Sequence, residues 1–252
     1  MKTIIKKTLK KYNWELKKVY PNNFPVEFTK QDIEILKYVN SKDITMIGMP
    51  RMIANVKAAK YVVENKIKGD FVECGVWRGG STLLVKMIFE EYNHDSNVWL
   101  FDTFQGFTPP SEIDTNSISG SKALDKFKLN QREDHNEWCY SPIDEVKKNF
   151  IDAKVNMEQV KFIVGDVMKT IPENKDKIGD ISFLRLDTDW YESTRTELEN
   201  LYPQITKNGF LIIDDYGHWK GSQKATDEYF FGFKNKPFMS IIDNSSRLII
   251  KS

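Results

Sequence analysis

From Gly69 onward, short apolar runs alternate with helix-like stretches, and most of the runs close on an acidic residue. The runs are Asp70–Gly75, Asn97–Phe104, Gln159–Asp166, Asp180–Asp187 and Gly209–Asp215. Helical segments begin at Ser81 and at Ser141-Pro142, where Ser is a good N-cap and Pro suits the first helical position, and another spans about Ser193–Leu201. Strand alternating with helix predicts a mostly parallel sheet covered on both faces. In such a sheet, ligands bind at the C-terminal ends of the strands.

The flanks are less regular. Ile5, Leu9, Tyr12, Leu16 and Val19 form one apolar helix stripe among lysines, which suits docking on the same domain or on a partner subunit, with an anionic membrane surface as the alternative. Two further helices are expected around Lys30–Asn40 and Arg51–Asn65, punctuated by Pro21, Pro25 and Pro50. Gln105–Asn136 reads as a long polar loop, and loops of that length are commonly functional or mobile. After a helix near Gln223–Phe230, the run Phe238–Ile242, the polar turn Asp243–Ser246 and the run Arg247–Ile250 predict a terminal hairpin.

Composition excludes several classes. Lys plus Arg number 37 against 36 for Asp plus Glu, a balance that argues against a general nucleic-acid binder. Two cysteines, Cys74 and Cys139, without a C-x-x-C pair rule out a disulfide scaffold and a structural zinc site. With no secretory h-region and no apolar run near the roughly 20 residues of a membrane span, a cytoplasmic protein is expected.

Phe71–Ser81 runs from a strand through a glycine-bearing turn into a helix. Gly75 and Gly79 permit positive φ and close approach of a ligand, but G-x-G-x-x-G is absent. Glu73 just before the turn would repel a pyrophosphate and attract an ammonium group. Asp102 ends the second run, where an acid can accept hydrogen bonds from ribose hydroxyls, and Asp166 ends the third, near an adenine edge. Asp187 and Asp189 follow the fourth run, Asp214 and Asp215 the fifth. Neighbouring strands would bring these carboxylates together, and a hard divalent cation, Mg²⁺ first, would compensate their charge. Asp189 or one of the Asp pair is expected to be an N-cap pointing at solvent. Among the three histidines, His218 lies at the active edge, either as a base near neutral pH or as a supporting residue.

Thr45-Met46, Pro50-Arg51-Met52, Gly69–Ser81, Phe101–Phe107, Leu184–Thr194 and Asp214–Gly217 together resemble the macrocin O-methyltransferase (TylF) family over about Ile44 to Phe230. The resemblance implies a class I methyltransferase fold: an α/β, Rossmann-like seven-stranded sheet ending in the antiparallel hairpin that distinguishes it from a dinucleotide-binding sheet. Residues 1–66 would form a helical lid and oligomerisation segment, and 67–252 the methyltransferase domain. It implies an S-adenosylmethionine- and Mg²⁺-dependent enzyme that methylates a hydroxyl of a glycoside, polysaccharide or nucleotide sugar, as a homodimer or larger oligomer.

By position, Asp187, Asp214 and Asp215 would be metal ligands. Glu73 and Gly75 would face the methionine part of the cofactor and Asp102 the ribose, with Gly79 and Ser81 also in the cofactor site. Thr45 and Met46 would sit in the lid. The chain has Gly165-Asp166-Val167 where the family tends to have Gly-Trp-Phe. Asp187 or His218 would take the proton. Two other readings stay open: a metal-independent methyltransferase using His218, and a nucleotide-binding module without catalysis.

Overall fold

The computed structural model describes residues 24–252, so the basic helix expected over residues 1–20 lies outside the described residues. Helices α1 (Lys30–Ser41) and α2 (Met49–Glu64) precede the sheet. Strands and helices then follow as β1 (Asp70–Cys74), α3 (Gly80–Glu91), β2 (Val98–Asp102), α4 (Ala123–Asn130), α5 (Ile143–Asp152), β3 (Val160–Val164) and α6 (Val167–Ile178). The order continues with β4 (Ile181–Leu186), α7 (Tyr191–Leu201), β5 (Ile205–Ile213), α8 (Lys220–Phe231), β6 (Ser240–Ile241) and β7 (Arg247–Ile250).

One seven-stranded sheet runs β3-β2-β1-β4-β5-β7-β6. The first five strands are parallel, and β7 pairs antiparallel with both β5 and β6. The expected terminal hairpin is therefore present, with β6 reduced to two residues at the open edge. The chain builds outward from β1 to β3 and then returns to build β4 and β5 on the other side. The crevice between the ends of β1 and β4 is the topological switch point where α/β sheets bind ligands.

Both faces of the sheet are dry because alternate side chains along each strand point to opposite layers. Phe71, Phe183 and Phe210 face α1, α2, α3 and α5, with ring centroids 4.9 and 6.1 Å apart in edge contacts. Val72, Leu184, Leu211 and Ile249 face α6, α7 and α8. At the first helix, Thr29 and Asp32 form a capping box. The buried Asp32 carboxylate also accepts from Lys60 Nζ at 2.6 Å and Tyr92 Oη at 2.9 Å, so one acid ties α1 to α2 and to the end of α3.

The expected loop 105–136 contains α4, and isolated bridges Thr115–Lys122, Asn116–Trp219 and Gln131–Asn136 fasten it to itself and to the segment between β5 and α8. Helix α4 buries only Ala123 and Phe127, too few apolar positions to mark a helix in sequence. Helix α6 carries Pro172 in its interior, which obscures its helical pattern; Asp166 caps its start by accepting from Met168 N–H at 2.9 Å. Among the described residues, no helix is long and apolar enough to cross a membrane.

Candidate active site

The turn after β1 needs glycine at its first position. Gly75 has φ 80°, and a Cβ there would lie 2.0 Å from the Asp187 carbonyl oxygen. That close approach lets Asp187 N–H donate to the Cys74 carbonyl at 2.8 Å, which locks the ends of β1 and β4 together. Asp102 then holds the turn: its Oδ2 accepts from Val76 N–H at 2.7 Å and Trp77 N–H at 3.2 Å, and its Oδ1 from Phe104 N–H at 2.8 Å. Burial raises the Asp102 pKa against the pull of these backbone donors. Gly79, at φ 80°, caps α3 and packs against Phe150.

A cavity of about 530 Å³ opens over the switch point, a volume typical of small-molecule sites. Of the residues singled out in sequence, Met46, Gly75, Asp102, Asp166, Asp187, Asp214, Asp215 and His218 line it. Thr45, Glu73, Gly79 and Ser81 do not. Thr45 lies beside Gly80, and Ser81 is buried beneath the turn, accepting from Asn55 Nδ2 at 2.8 Å. Glu73, expected to face an ammonium group, is fully buried behind the wall; its partners are Arg185 at 2.6 Å and the Thr82 hydroxyl.

Arg185 and Arg51 are the residues that sequence reasoning missed. Arg185 is fully buried on β4, directly opposite Glu73 on β1. Its Nη1 donates to Glu73 Oε1 and to Asp187 Oδ2, both at 2.6 Å, and its Nη2 to Asp214 Oδ1. Arg51, near the start of α2, donates to Asp214 Oδ2 and to Asp243 in the terminal turn. An arginine inside the apolar run Ile181–Leu186 is the signal that a buried acid must lie across from it. For Arg51 the sequence offers no comparable sign.

The acids still outnumber these cations. Burial and the Asp187 charge push Asp214 up to about 6 against the pull of the two arginines and the Ser246 hydroxyl. Burial and Asp187 push Asp189 up to about 8, and burial with the adjacent Asp189, Asp187 and Asp214 raises Asp215 well above the ordinary carboxylate value. Asp189 is not the solvent-facing N-cap expected: Trp190 occupies the cap position of α7. The Asp189 carboxylate instead accepts from Trp219 Nε1 at 2.8 Å and lines the cavity in contact with Asp215.

Asp187, Asp214 and Asp215 offer carboxylate oxygens within 4.8 Å of one another. Asp215 Oδ2 is buried without a hydrogen-bond partner. An all-oxygen donor set with an unsatisfied carboxylate oxygen fits a hard divalent cation.

His218 lies at the cavity rim, with its pKa lowered by partial burial and by the charges of Arg51 and Lys126, so the neutral ring prevails at neutral pH. Asn116 Oδ1 accepts from the backbone N–H groups of Ile118 and Ser119. Asn116 Nδ2 is left to donate to His218 Nε2 at 3.2 Å, which places the ring proton on Nδ1 and the lone pair on Nε2. Beyond it, Phe107, Trp138, Trp190 and Trp219 pack as an aromatic wall, and Lys126 Nζ lies 4.1 Å from the Trp138 ring centroid.

The family model for macrocin O-methyltransferase (TylF) matches residues 9–246. Among curated relatives, the demethyldecarbamoylnovobiocin O-methyltransferase of Streptomyces niveus is 35% identical over 73% of this chain and 67% of its own length. The mycinamicin III 3''-O-methyltransferase of Micromonospora griseorubida is 32% identical over 68% of this chain and 65% of its own. Among solved structures, the O-methyltransferase NovP superposes with a TM-score of 0.71 at 32% identity, covering 83% of this chain and 82% of that one. The calicheamicin methyltransferase CalS11 shares the fold at 16% identity, with a TM-score of 0.61 over 94% and 98% of the two chains. The chain belongs to the macrocin O-methyltransferase (TylF) family and carries the class I O-methyltransferase fold.

Proposed function

We propose that this chain methylates a hydroxyl of a sugar, using S-adenosylmethionine and a divalent cation, Mg²⁺ first. The observation that carries the reading is one cavity with Asp102 on its wall and Asp187, Asp214 and Asp215 gathered within 4.8 Å of one another. The chain is 33% identical to a Streptomyces olivaceus enzyme named as the 4'-O-methyltransferase of a rhamnosyl-tetracenomycin, and that likeness supports a sugar acceptor.

Gly75 would leave room for the methionine end of the cofactor, Asp102 would receive the ribose hydroxyls and Asp166 would lie at the adenine end. Met46, well exposed ahead of α2 and on the cavity lining, would cover the cofactor from the lid side. Asp187, Asp214 and Asp215 would hold the ion. When bound, S-adenosylmethionine supplies a methyl group on a sulfonium, and the ion supplies Lewis acidity to the acceptor hydroxyl. The aromatic wall excludes water and presents apolar surface to a sugar ring.

Neutral His218 would take the hydroxyl proton at Nε2, with the acceptor hydroxyl displacing Asn116 Nδ2 from that lone pair, as the new C–O bond forms and the methyl–sulfur bond breaks. Asp187 is the weaker candidate for that role because its Oδ2 is held by the charged Arg185 and its carboxylate is also assigned to the ion, which would depress its basicity. Calorimetry with S-adenosylhomocysteine tests the cofactor assignment. Binding by the native protein that weakens on Asp102→Ala supports it. Absence of binding by a folded native protein refutes it and favours a protein that keeps the fold without the reaction.

A further inference from the structure

Asp214 has no oxygen free of arginine. Its Oδ1 accepts from Arg185 Nη2 and from Ser246 Oγ at 3.0 Å, and its Oδ2 accepts from Arg51 Nη1. Arg185 is built into the sheet, whereas Arg51 arrives from α2, outside it. Arg51 also has a second anionic seat. Its Nε donates to Asp243 Oδ2 at 2.7 Å and its Nη2 lies 3.4 Å from Asp243 Oδ1. Asp243 is itself fixed, since its Oδ1 accepts from Ser245 N–H at 2.9 Å and Ser246 N–H at 2.8 Å.

We propose that Arg51 is a resident counter-cation of the acidic cluster that competes with the divalent ion for Asp214 Oδ2, with Asp243 as the seat that retains it when the ion binds. The inference rests on Asp187, Asp214 and Asp215 being the ion's ligands. A guanidinium and a divalent cation sharing one carboxylate oxygen repel each other at close range. The arginine therefore lowers the affinity for the ion while it neutralises the cluster without one. Because Arg51 belongs to α2, and Met46 and Ile47 just before that helix line the same cavity, ion binding is coupled to the segment that covers the cofactor.

The coupling has a sign that a structural role does not share. Loss of a merely structural arginine would disorder Asp214 and weaken ion binding; loss of a competitor strengthens it. Mn²⁺ binding to the full chain, followed by electron paramagnetic resonance of the free ion, reads this directly. Arg51→Gln is expected to bind Mn²⁺ about tenfold more tightly, within the usual range of coupling between sites. Asp243→Asn, which leaves Arg51 only Asp214 as a charged partner, is expected to bind it several-fold more weakly, and it serves alone if Arg51→Gln fails to fold.

Equal or weaker binding by folded Arg51→Gln, or unchanged or tighter binding by Asp243→Asn, overturns the inference while the ion site stands. Absence of Mn²⁺ binding in the native chain and in both variants overturns the ion site and this inference together.

Discussion

Replacing Arg185 by Met tests whether the buried charge network holds the catalytic edge together. The guanidinium is fully buried and bonds Glu73, Asp187 and Asp214 at once. Methionine fills much of the volume but leaves Glu73 without its charged partner in a layer it shares with Phe71 and Phe183. Removing one side of a buried ion pair costs about 3–5 kcal/mol, and in a domain of this size each kcal/mol moves the melting temperature by ~2–4 °C. The expected loss is therefore roughly 6–20 °C by circular dichroism melting.

The loss should depend on pH. Burial already pushes Glu73 up to about 7 with Arg185 in place, against an ordinary value of 4.5. A group raised in this way contributes its stability below the unfolded value, and the contribution disappears as pH rises through the folded one. Without Arg185 the shift grows, so the deficit should be small near pH 5 and widen as the pH is raised to about 8. A loss below about 1 kcal/mol at the higher pH, or an equal loss at both pH values, refutes the reasoning.

Three further outcomes follow from the site. Gly75→Ala places a methyl group against the Asp187 carbonyl at a left-handed φ, and should destabilise the fold by about 2 kcal/mol or more and abolish cofactor binding, as read by chemical unfolding and calorimetry. His218→Gln should lower turnover by about 10²–10⁴-fold without altering Mn²⁺ binding; unchanged turnover would return the proton to Asp187. Trp138→Ala should raise KM for the acceptor while leaving S-adenosylhomocysteine affinity unchanged, because its ring lines the cavity and packs against Phe107, Trp190 and Trp219 rather than against the glycine turn.

The central strands β1, β2, β4 and the end of β5 are legible because each, buried on both faces, is a short apolar run with an acid at its end. Asp102, Asp187, Asp214 and Asp215 reach one cavity for that reason. The partners of those acids were harder to see. Arg185 is paired with Glu73 by strand register, 112 residues apart in sequence, and Arg51 reaches Asp214 across 163 residues. A carboxylate read alone in sequence invites a ligand, yet Glu73 satisfies its charge within the protein. Asp189 shows the same limit in reverse: a polar residue after a strand looks like a helix cap, and only the tertiary fold turns it onto Trp219 and Asp215. Helices α4 and α6 escaped notice through a thin apolar stripe in one and an internal proline in the other.

Methyl transfer from labelled S-adenosylmethionine to a panel of glycosides and nucleotide sugars, read by mass spectrometry with and without EDTA, tests the central claim most directly. The carboxylate cluster predicts a product heavier by one methylene, its loss on chelation, its return on adding Mg²⁺, and none from Asp187→Ala under any condition. Transfer that survives complete chelation, or that Asp187→Ala retains in full, would contradict it.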